Sequence, residues 1–372
     1  MLQIKLQRTQ RRLGPENLQP LVVGSRSLIY ITMFFFGLEG GGTSSHYVLI
    51  HEKALALIHL FVALLPSVPS LLDLETVAQT VSQIVFQLSS SFNFTLPLHG
   101  IALALSGVDN AQIQQQLRDE FNKQPQPLST HISFYNDSVG SAGLLIDSPL
   151  PIVLIAGTGS HCRAVLPSGQ QFRSGGWGHL LSEKGCAYNV TATAVAECLM
   201  SRDHHPDAPN HDVSAVHDLI LEKFNISDLP EVLTLFYRSF NKAEIAGVTR
   251  DIAELALGGD VYAQSLFDRV GTDLAKMLIG VLTQIEEAKL ELKDEVSFKN
   301  LEEIDILAVG SVWKSYSLFS KSFINTLNSC FGFSVVLKRP VITAAVGAVQ
   351  LLAKEMEVDL RVDDVISELL TC

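Results

Sequence analysis

Two short turns carry the first chemical signal in this sequence. Gly40-Gly41-Gly42-Thr43 and Gly157-Thr158-Gly159-Ser160 each follow an apolar run and each lead into another. Glycine has no Cβ, so consecutive backbone N–H groups can converge on an anion. A threonine hydroxyl adds a neutral donor. Such turns suit the phosphates of a nucleotide, though one alone reads first as an ordinary hairpin. Two matching turns, one in each half of the chain, could grip phosphates from both sides of a cleft. The candidates are Gly41, Gly42 and Thr43 in the first turn, and Gly157, Thr158 and Gly159 in the second. The chain contains no GxxxxGK[ST] run, which excludes a P-loop. Each turn leads into a strand and not a helix, which excludes a dinucleotide-binding turn.

Asp137 ends a strand pattern and precedes Ser138-Val139-Gly140-Ser141. A carboxylate there is placed to take a proton from a hydroxyl; the plainer reading is the N-cap of a following helix. In Ser174-Gly175-Gly176-Trp177-Gly178-His179, three glycines permit close backbone approach and the indole face suits a sugar. A turn anchored by a buried tryptophan is the alternative. Gly310-Ser311-Val312-Trp313-Lys314-Ser315 follows a strand and opens a helix, whose first N–H groups can receive a nucleotide; Ser311 could also simply cap that helix. His204, His205 and His211 lie in a Pro-, Asp- and Asn-rich segment that reads as a solvated loop and not a metal site.

These groups need a scaffold. Residues 28–36 and 46–51 read as strands around the first turn, and residues 151–156 and 162–166 as strands around the second. Residues 77–88 place Val77, Val81, Ile84, Val85 and Leu88 at helical spacing. Strands are expected at 100–106, 132–135 and 304–309, and helices at 111–121, 188–200, 261–285 and 344–355. The segments LEGGGTSSHYVLI and IAGTGSHCRAVL look like two copies of one device, which suggests duplicated domains. Strands followed by helices, twice over, describe an α/β chain of two similar lobes around a cleft. The expected division is 1–30 as an unstructured extension, 31–148 as the first lobe and 149–372 as the second, with the last helix returning to the first lobe.

The 372 residues and 47% hydrophobic content suffice for two cores. A formal net charge of −12 argues against nucleic acid or anionic membrane as partner. The run 28–36 is too short to span a bilayer, which takes roughly 20 residues. Lys5, Arg8, Arg11 and Arg12 resemble a transit peptide, but Pro15, Glu16 and Pro20 interrupt any amphipathic helix there. Cys162, Cys186, Cys198, Cys330 and Cys372 form no CxxC pair. Free thiols in a reducing, cytoplasmic setting are expected.

Taken in order, LEGGGTSS, LALSGVDN, NDSVGSAG, LIAGTGSHCR, SGGWGHLLSEKGCAY, FNKAEIAG and LAVGSVWKS resemble the N-acetylglucosamine kinases. These belong to the actin- and hexokinase-like ATPase superfamily. The resemblance spans about residues 37–350. It implies two ribonuclease H-like lobes of the actin-like ATPase fold with an inter-lobe cleft, ATP and Mg²⁺ as cofactors, an amino sugar as substrate, and a homodimer. By the same resemblance Thr43 and Thr158 are phosphate-side residues. Asp137 is the base that takes the proton of the sugar 6-hydroxyl, Gly176, Trp177 and Gly178 are sugar contacts, and Ala246, Ser311 and Ser315 meet the adenosine side.

Two departures stand out. Where the family has Gly-Asp-Glu-Gly, with the Asp on a sugar hydroxyl, this chain has Ser182-Glu183-Lys184-Gly185, so Glu183 keeps the carboxylate one methylene further out. Where the family has a sugar-binding Asn, the ungapped register puts Pro66 in an apolar stretch, 54–72. A lost hydrogen bond there costs about 1–3 kcal/mol. An active kinase is therefore weighed against two alternatives: a catalytically weak homologue that binds nucleotide or sugar as a sensor or scaffold, and a related ATPase or a kinase for another amino sugar.

Overall fold

The computed structural model describes residues 33–40, 45–51, 74–166, 168–288, 303–330, 334–360, 362 and 366–371. The chain begins with β1 (Phe34–Gly40), β2 (Ser45–His51), α1 (Leu74–Phe92), β3 (Leu98–Leu105), α2 (Ala111–Asn122), β4 (Ser129–Tyr135) and α3 (Asp137–Ala142). It continues through β5 (Ile152–Ala156), β6 (Ser160–Val165), β7 (Gln171–Gly175), α4 (Ala187–Arg202), α5 (Ser214–Phe224), α6 (Lys242–Gly247), α7 (Thr249–Leu257) and α8 (Val261–Glu287). The last described elements are β8 (Glu303–Val309), α9 (Tyr316–Asn328), β9 (Ser334–Pro340), α10 (Ala344–Glu355) and β10 (Ile366–Thr371). Two compact units result, one of Met1–Gly140 with Thr343–Asp363, the other of Ser141–Ile342 with Asp364–Cys372.

The first unit is built on a four-stranded sheet of order β2-β1-β3-β4. β1 and β2 form an antiparallel hairpin, and β1, β3 and β4 run parallel. Helix α1 buries Val77, Val81, Ile84, Val85 and Leu88, the face that helical spacing predicts. That face packs with Phe36, Leu38, Ile101 and Leu103 of the sheet and with Leu117 and Phe121 of α2. Asn110 starts α2 by accepting the N–H of Ile113 at 2.8 Å. Helix α10 packs on β1 and β3, and it is apolar enough to be buried along its length, from Ala344 to Ala353. Two glycines let it come close. A Cβ on Gly100 would stand 2.7 Å from Leu352 Cδ2, and one on Gly37 would run into the Ala345 carbonyl.

The second unit carries a six-stranded sheet of order β10-β9-β8-β5-β6-β7. β5, β6 and β7 form an antiparallel meander; β5, β8 and β9 are parallel; β10 joins β9 antiparallel. The order β6-β5-β8-β9 repeats β2-β1-β3-β4, so the internal similarity of the sequence is a similarity of topology. Helix α8, 27 residues long, starts where Asp260 accepts the N–H of Ala263 at 2.7 Å. At Gly271 it lets α9 cross closely: a Cβ there would stand 2.5 Å from the Phe319 carbonyl oxygen and 2.9 Å from Phe323 N. No described helix is long and apolar enough to cross a membrane.

Candidate active site

In the first unit, the hairpin register sets Glu39 opposite His46 and Gly40 opposite Ser45. Gly41, Gly42 and Thr43 lie outside the described residues, as do Pro66 and the stretch 54–72. The Glu39 carboxylate accepts Thr343 Oγ1 at 2.6 Å and Ala344 N at 2.9 Å, fixing the hairpin to the start of α10.

Asp137 is the first residue of α3, directly after β4. The capping role falls to its neighbour. Asn136 Oδ1 accepts Ser138 N at 3.0 Å and Ser138 Oγ at 2.6 Å, and Asn136 O accepts Gly140 N at 2.9 Å. Asn136 is itself oriented by Asp109, whose Oδ2 accepts its Nδ2 at 3.0 Å. Asp137 Oδ1 accepts Ser138 N at 2.8 Å, and the side chain is half-buried. A cap reading for Asp137 is thus displaced by one residue. What is left is a carboxylate on a backbone locked by its neighbours. Gly140 belongs to the same lock, since a Cβ there would collide with Ala104 of β3.

In the second unit, Gly157, Thr158 and Gly159 form the β5–β6 turn, half-buried, with Gly157 N donating to Gly159 O at 2.9 Å. The segment after Glu183 is laced to this turn. Ser160 Oγ donates to Lys184 O at 2.6 Å, and Ala187 N donates to Gly157 O at 2.8 Å. Gly310 closes on it from β8, with φ of 112°; a Cβ there would stand 2.8 Å from Gly157 N. The structure therefore brings the glycine turn against Gly310, the residue that leads into the 311–315 loop. The N-cap position of this turn is Gly310, and Ser311 is its first residue. Ser315 ends this 3₁₀ turn ahead of α9. Trp313 anchors the loop, buried, with Nε1 donating to Leu154 O at 3.1 Å. Ala246 is buried in α6.

Gly176, Trp177 and Gly178 follow β7, and Gly176 N donates to Ser160 O at 3.1 Å, tying this loop to the same turn. Gly176 and Gly178 have φ of 74° and 86°, conformations that favour glycine. Trp177 is not a buried anchor. It is 55% exposed, with the Arg173 guanidinium 4.2 Å from its ring centroid. Arg173 carries no signal in the sequence beyond its closeness to this loop. Glu183 is ion-paired with Lys242, the first residue of α6, and Asn241 caps that helix through Ala243 N and Glu244 N. Sequence reasoning misses Lys242, although it lies inside the FNKAEIAG segment.

Cys162, Cys186, Cys198 and Cys330 are free thiols, and Cys372 lies outside the described residues. Burial pushes the thiols of Cys162 and Cys186 up and that of Cys198 up to about 12, so none of these three is an activated nucleophile.

No family model matches the chain. It is 23% identical over 255 residues to the N-acetylmuramic acid/N-acetylglucosamine kinase of Clostridium acetobutylicum, covering 67% of this chain and 80% of that one. Its architecture matches that of a protein assigned as an N-acetylglucosamine kinase in Chromobacterium violaceum, with a TM-score of 0.57, 19% identity and coverage of 86% of this chain and 99% of that one. A protein of the same assignment from Porphyromonas gingivalis gives a TM-score of 0.56 at 14% identity, with 88% and 100% covered. The fold is that of the sugar kinases of the actin-like ATPase architecture.

Proposed function

We propose that this chain is an ATP-dependent sugar kinase that phosphorylates N-acetylglucosamine at its 6-hydroxyl. The observation that carries the reading is Asp137. It is a half-buried carboxylate at the end of a parallel strand, next to the Asn136 cap and on a backbone fixed by Asp109 and Gly140. The amino-sugar kinase from Clostridium acetobutylicum, matched over two thirds of this chain, supports the substrate class.

On this reading Asp137 accepts the proton of the 6-hydroxyl as the oxygen attacks the γ-phosphorus. The O6–Pγ bond forms, the bond from Pγ to the β-phosphate oxygen breaks, and ADP leaves with the electron pair. Thr43 and Thr158, with Gly41, Gly42, Gly157 and Gly159, hold phosphate oxygens by backbone and hydroxyl donors. Ala246, Ser311 and Ser315 border the adenosine. Gly176, Trp177 and Gly178 present backbone and an exposed indole face to the sugar. Among the described residues no group of three or more His, Cys, Asp and Glu is placed to hold a metal ion. Mg²⁺ would arrive on the phosphates, in keeping with its preference for waters and phosphate oxygens, and would neutralise their charge.

The test is coupled ADP release with N-acetylglucosamine, glucosamine, N-acetylmannosamine, N-acetylmuramic acid and glucose, each beside a no-sugar blank. N-acetylglucosamine is expected to drive release. A preference for another sugar would move the substrate. ADP release equal to the blank with every sugar, from folded protein, would replace the kinase by a homologue that only binds nucleotide or sugar.

A further inference from the structure

The ion pair of Glu183 and Lys242 lies against the second glycine turn. The Glu183 side chain is only 10% exposed, and its Oε1 sits 2.5 Å from the point where a Cβ on Gly159 would stand. Lys242 Nζ is 3.2 Å from the same point. Gly159 thus lacks the one atom that would push both groups away. The pair is also held from both ends. Glu183 O accepts Cys186 Sγ at 3.1 Å, and the next carbonyl, Lys184 O, accepts Ser160 Oγ of the turn at 2.6 Å. Lys242 is fixed by the Asn241 cap of α6. The result is an ammonium group on the turn, with three donors and one carboxylate partner.

A partly buried carboxylate beside a phosphate-binding turn would repel phosphate if it stood alone. Paired with Lys242 it is neutral to an incoming anion, and the lysine has donors to spare. We propose that Lys242 is the cation that contacts the phosphates of the nucleotide on this turn, and that Glu183 positions it there instead of binding the sugar. This rests on the kinase reading for the identity of the anion, and it changes the role of Glu183 within that reading.

The experiment is titration calorimetry of the full chain with ATP, with magnesium present, and separately with adenosine, alongside the sugar-dependent ADP assay. Lys242→Met is expected to weaken ATP about 10- to 100-fold, the worth of one charge-assisted hydrogen bond, while adenosine affinity stays within twofold. Lys242→Arg, which keeps the charge, is expected to stay within about fivefold of the parent for ATP. A purely structural role would weaken both ligands or neither. Glu183→Gln is expected to shift ATP affinity and leave the sugar KM within twofold. A sugar KM raised tenfold with ATP affinity unchanged would return Glu183 to the sugar and overturn the proposal. Unchanged ATP affinity in folded Lys242→Met would overturn it too, even with sugar-driven ADP release intact. Loss of ATP binding in that variant, from a parent that no sugar stimulates, would sink the kinase reading and leave this one standing.

Discussion

The Glu39 carboxylate holds the Thr343 hydroxyl at 2.6 Å across 304 residues of sequence. It also accepts the N–H of Ala344, so it both receives the side chain of the α10 cap and satisfies one of the helix's unpaired backbone donors. Thr343 in turn accepts Ala345 N at 3.2 Å. At the other end of α10, Glu355 accepts Ser133 Oγ and Tyr135 OH at 2.8 Å each. The helix is pinned at both ends to the sheet that carries the first hairpin and Asp137. Burial, with Glu355 beside it, pushes the Tyr135 phenol far above its ordinary range, so at working pH it keeps its proton and remains a donor to Glu355.

Thr343→Val should therefore cost about 1–2 kcal/mol of unfolding free energy, since it removes a donor to a carboxylate and an N-cap acceptor together. Thr343→Ser keeps both groups and should cost less than half as much. Urea unfolding followed by circular dichroism reads the difference. Equal stability of Thr343→Val and the parent would mean that α10 is held by its glycine contacts alone.

For Asp137 the expectation is a loss of chemistry without loss of nucleotide. Asp137→Asn keeps the acceptor oxygen for Ser138 N but has no basic carboxylate. Sugar-dependent kcat should fall about 100- to 10,000-fold, with the Kd for ATP unchanged. Turnover within tenfold of the parent would remove Asp137 from the role of base.

Some of this is legible in the sequence and some is not. Helix α1 shows itself because Val77, Val81, Ile84, Val85 and Leu88 recur at the helical period and all face one core. The two hairpins show themselves because apolar runs stop at glycine. Strands β9 and β10 do not. In Ser334–Pro340 the apolar stretch is only Val335, Val336 and Leu337, and β9 exists because it pairs with β8 on one side and β10 on the other. The docking of α10 depends on Gly37 and Gly100, strand glycines whose meaning appears only when the helix arrives. Glu183 and Lys242 are 59 residues apart, and no local pattern links them. Asp137 was within reach of sequence reasoning, but Asn136 as the true cap was not, because either residue type can serve there.

Gly157 and Gly310 meet as bare backbone, and they separate stability from binding. Gly310 has φ of 112°, and a Cβ there would stand 2.6 Å from Ala156 C and 2.8 Å from Gly157 N. Gly310→Ala should cost more than about 2 kcal/mol, through strain and a clash with backbone that cannot swing aside. A Cβ on Gly157 meets nothing nearer than Gly310 Cα at 3.9 Å. Gly157→Ala should change the melting temperature little yet weaken ATP, if the turn is a phosphate cradle. Unchanged ATP affinity in that variant would remove the turn from the nucleotide site.

An ion pair joins two helices of the second unit and makes its stability depend on pH. Glu197 of α4 accepts Arg269 Nη1 at 2.5 Å, Arg269 Nη2 at 2.9 Å and Tyr262 OH at 2.8 Å, joining α4 to α8. Burial on its own would raise the Glu197 pKa, but the hydrogen bonds from Arg269 and Tyr262 outweigh it and bring the carboxyl below its ordinary range. A depressed folded pKa gives stability that is present above the unfolded pKa of about 4.3 and lost as pH falls through the folded value. Glu197→Gln removes the charge and keeps an acceptor for Tyr262. It should cost about 1–3 kcal/mol at pH 7, between the worth of an exposed pair and a buried one, because Arg269 is still 45% exposed. Urea unfolding of parent and variant from pH 7 down to pH 3 should show the gap begin to close below about pH 4.3, where the unfolded chain's carboxyl takes up its proton before the folded one does. A gap that stays constant over that range would assign the cost of the substitution to packing and not to the ion pair.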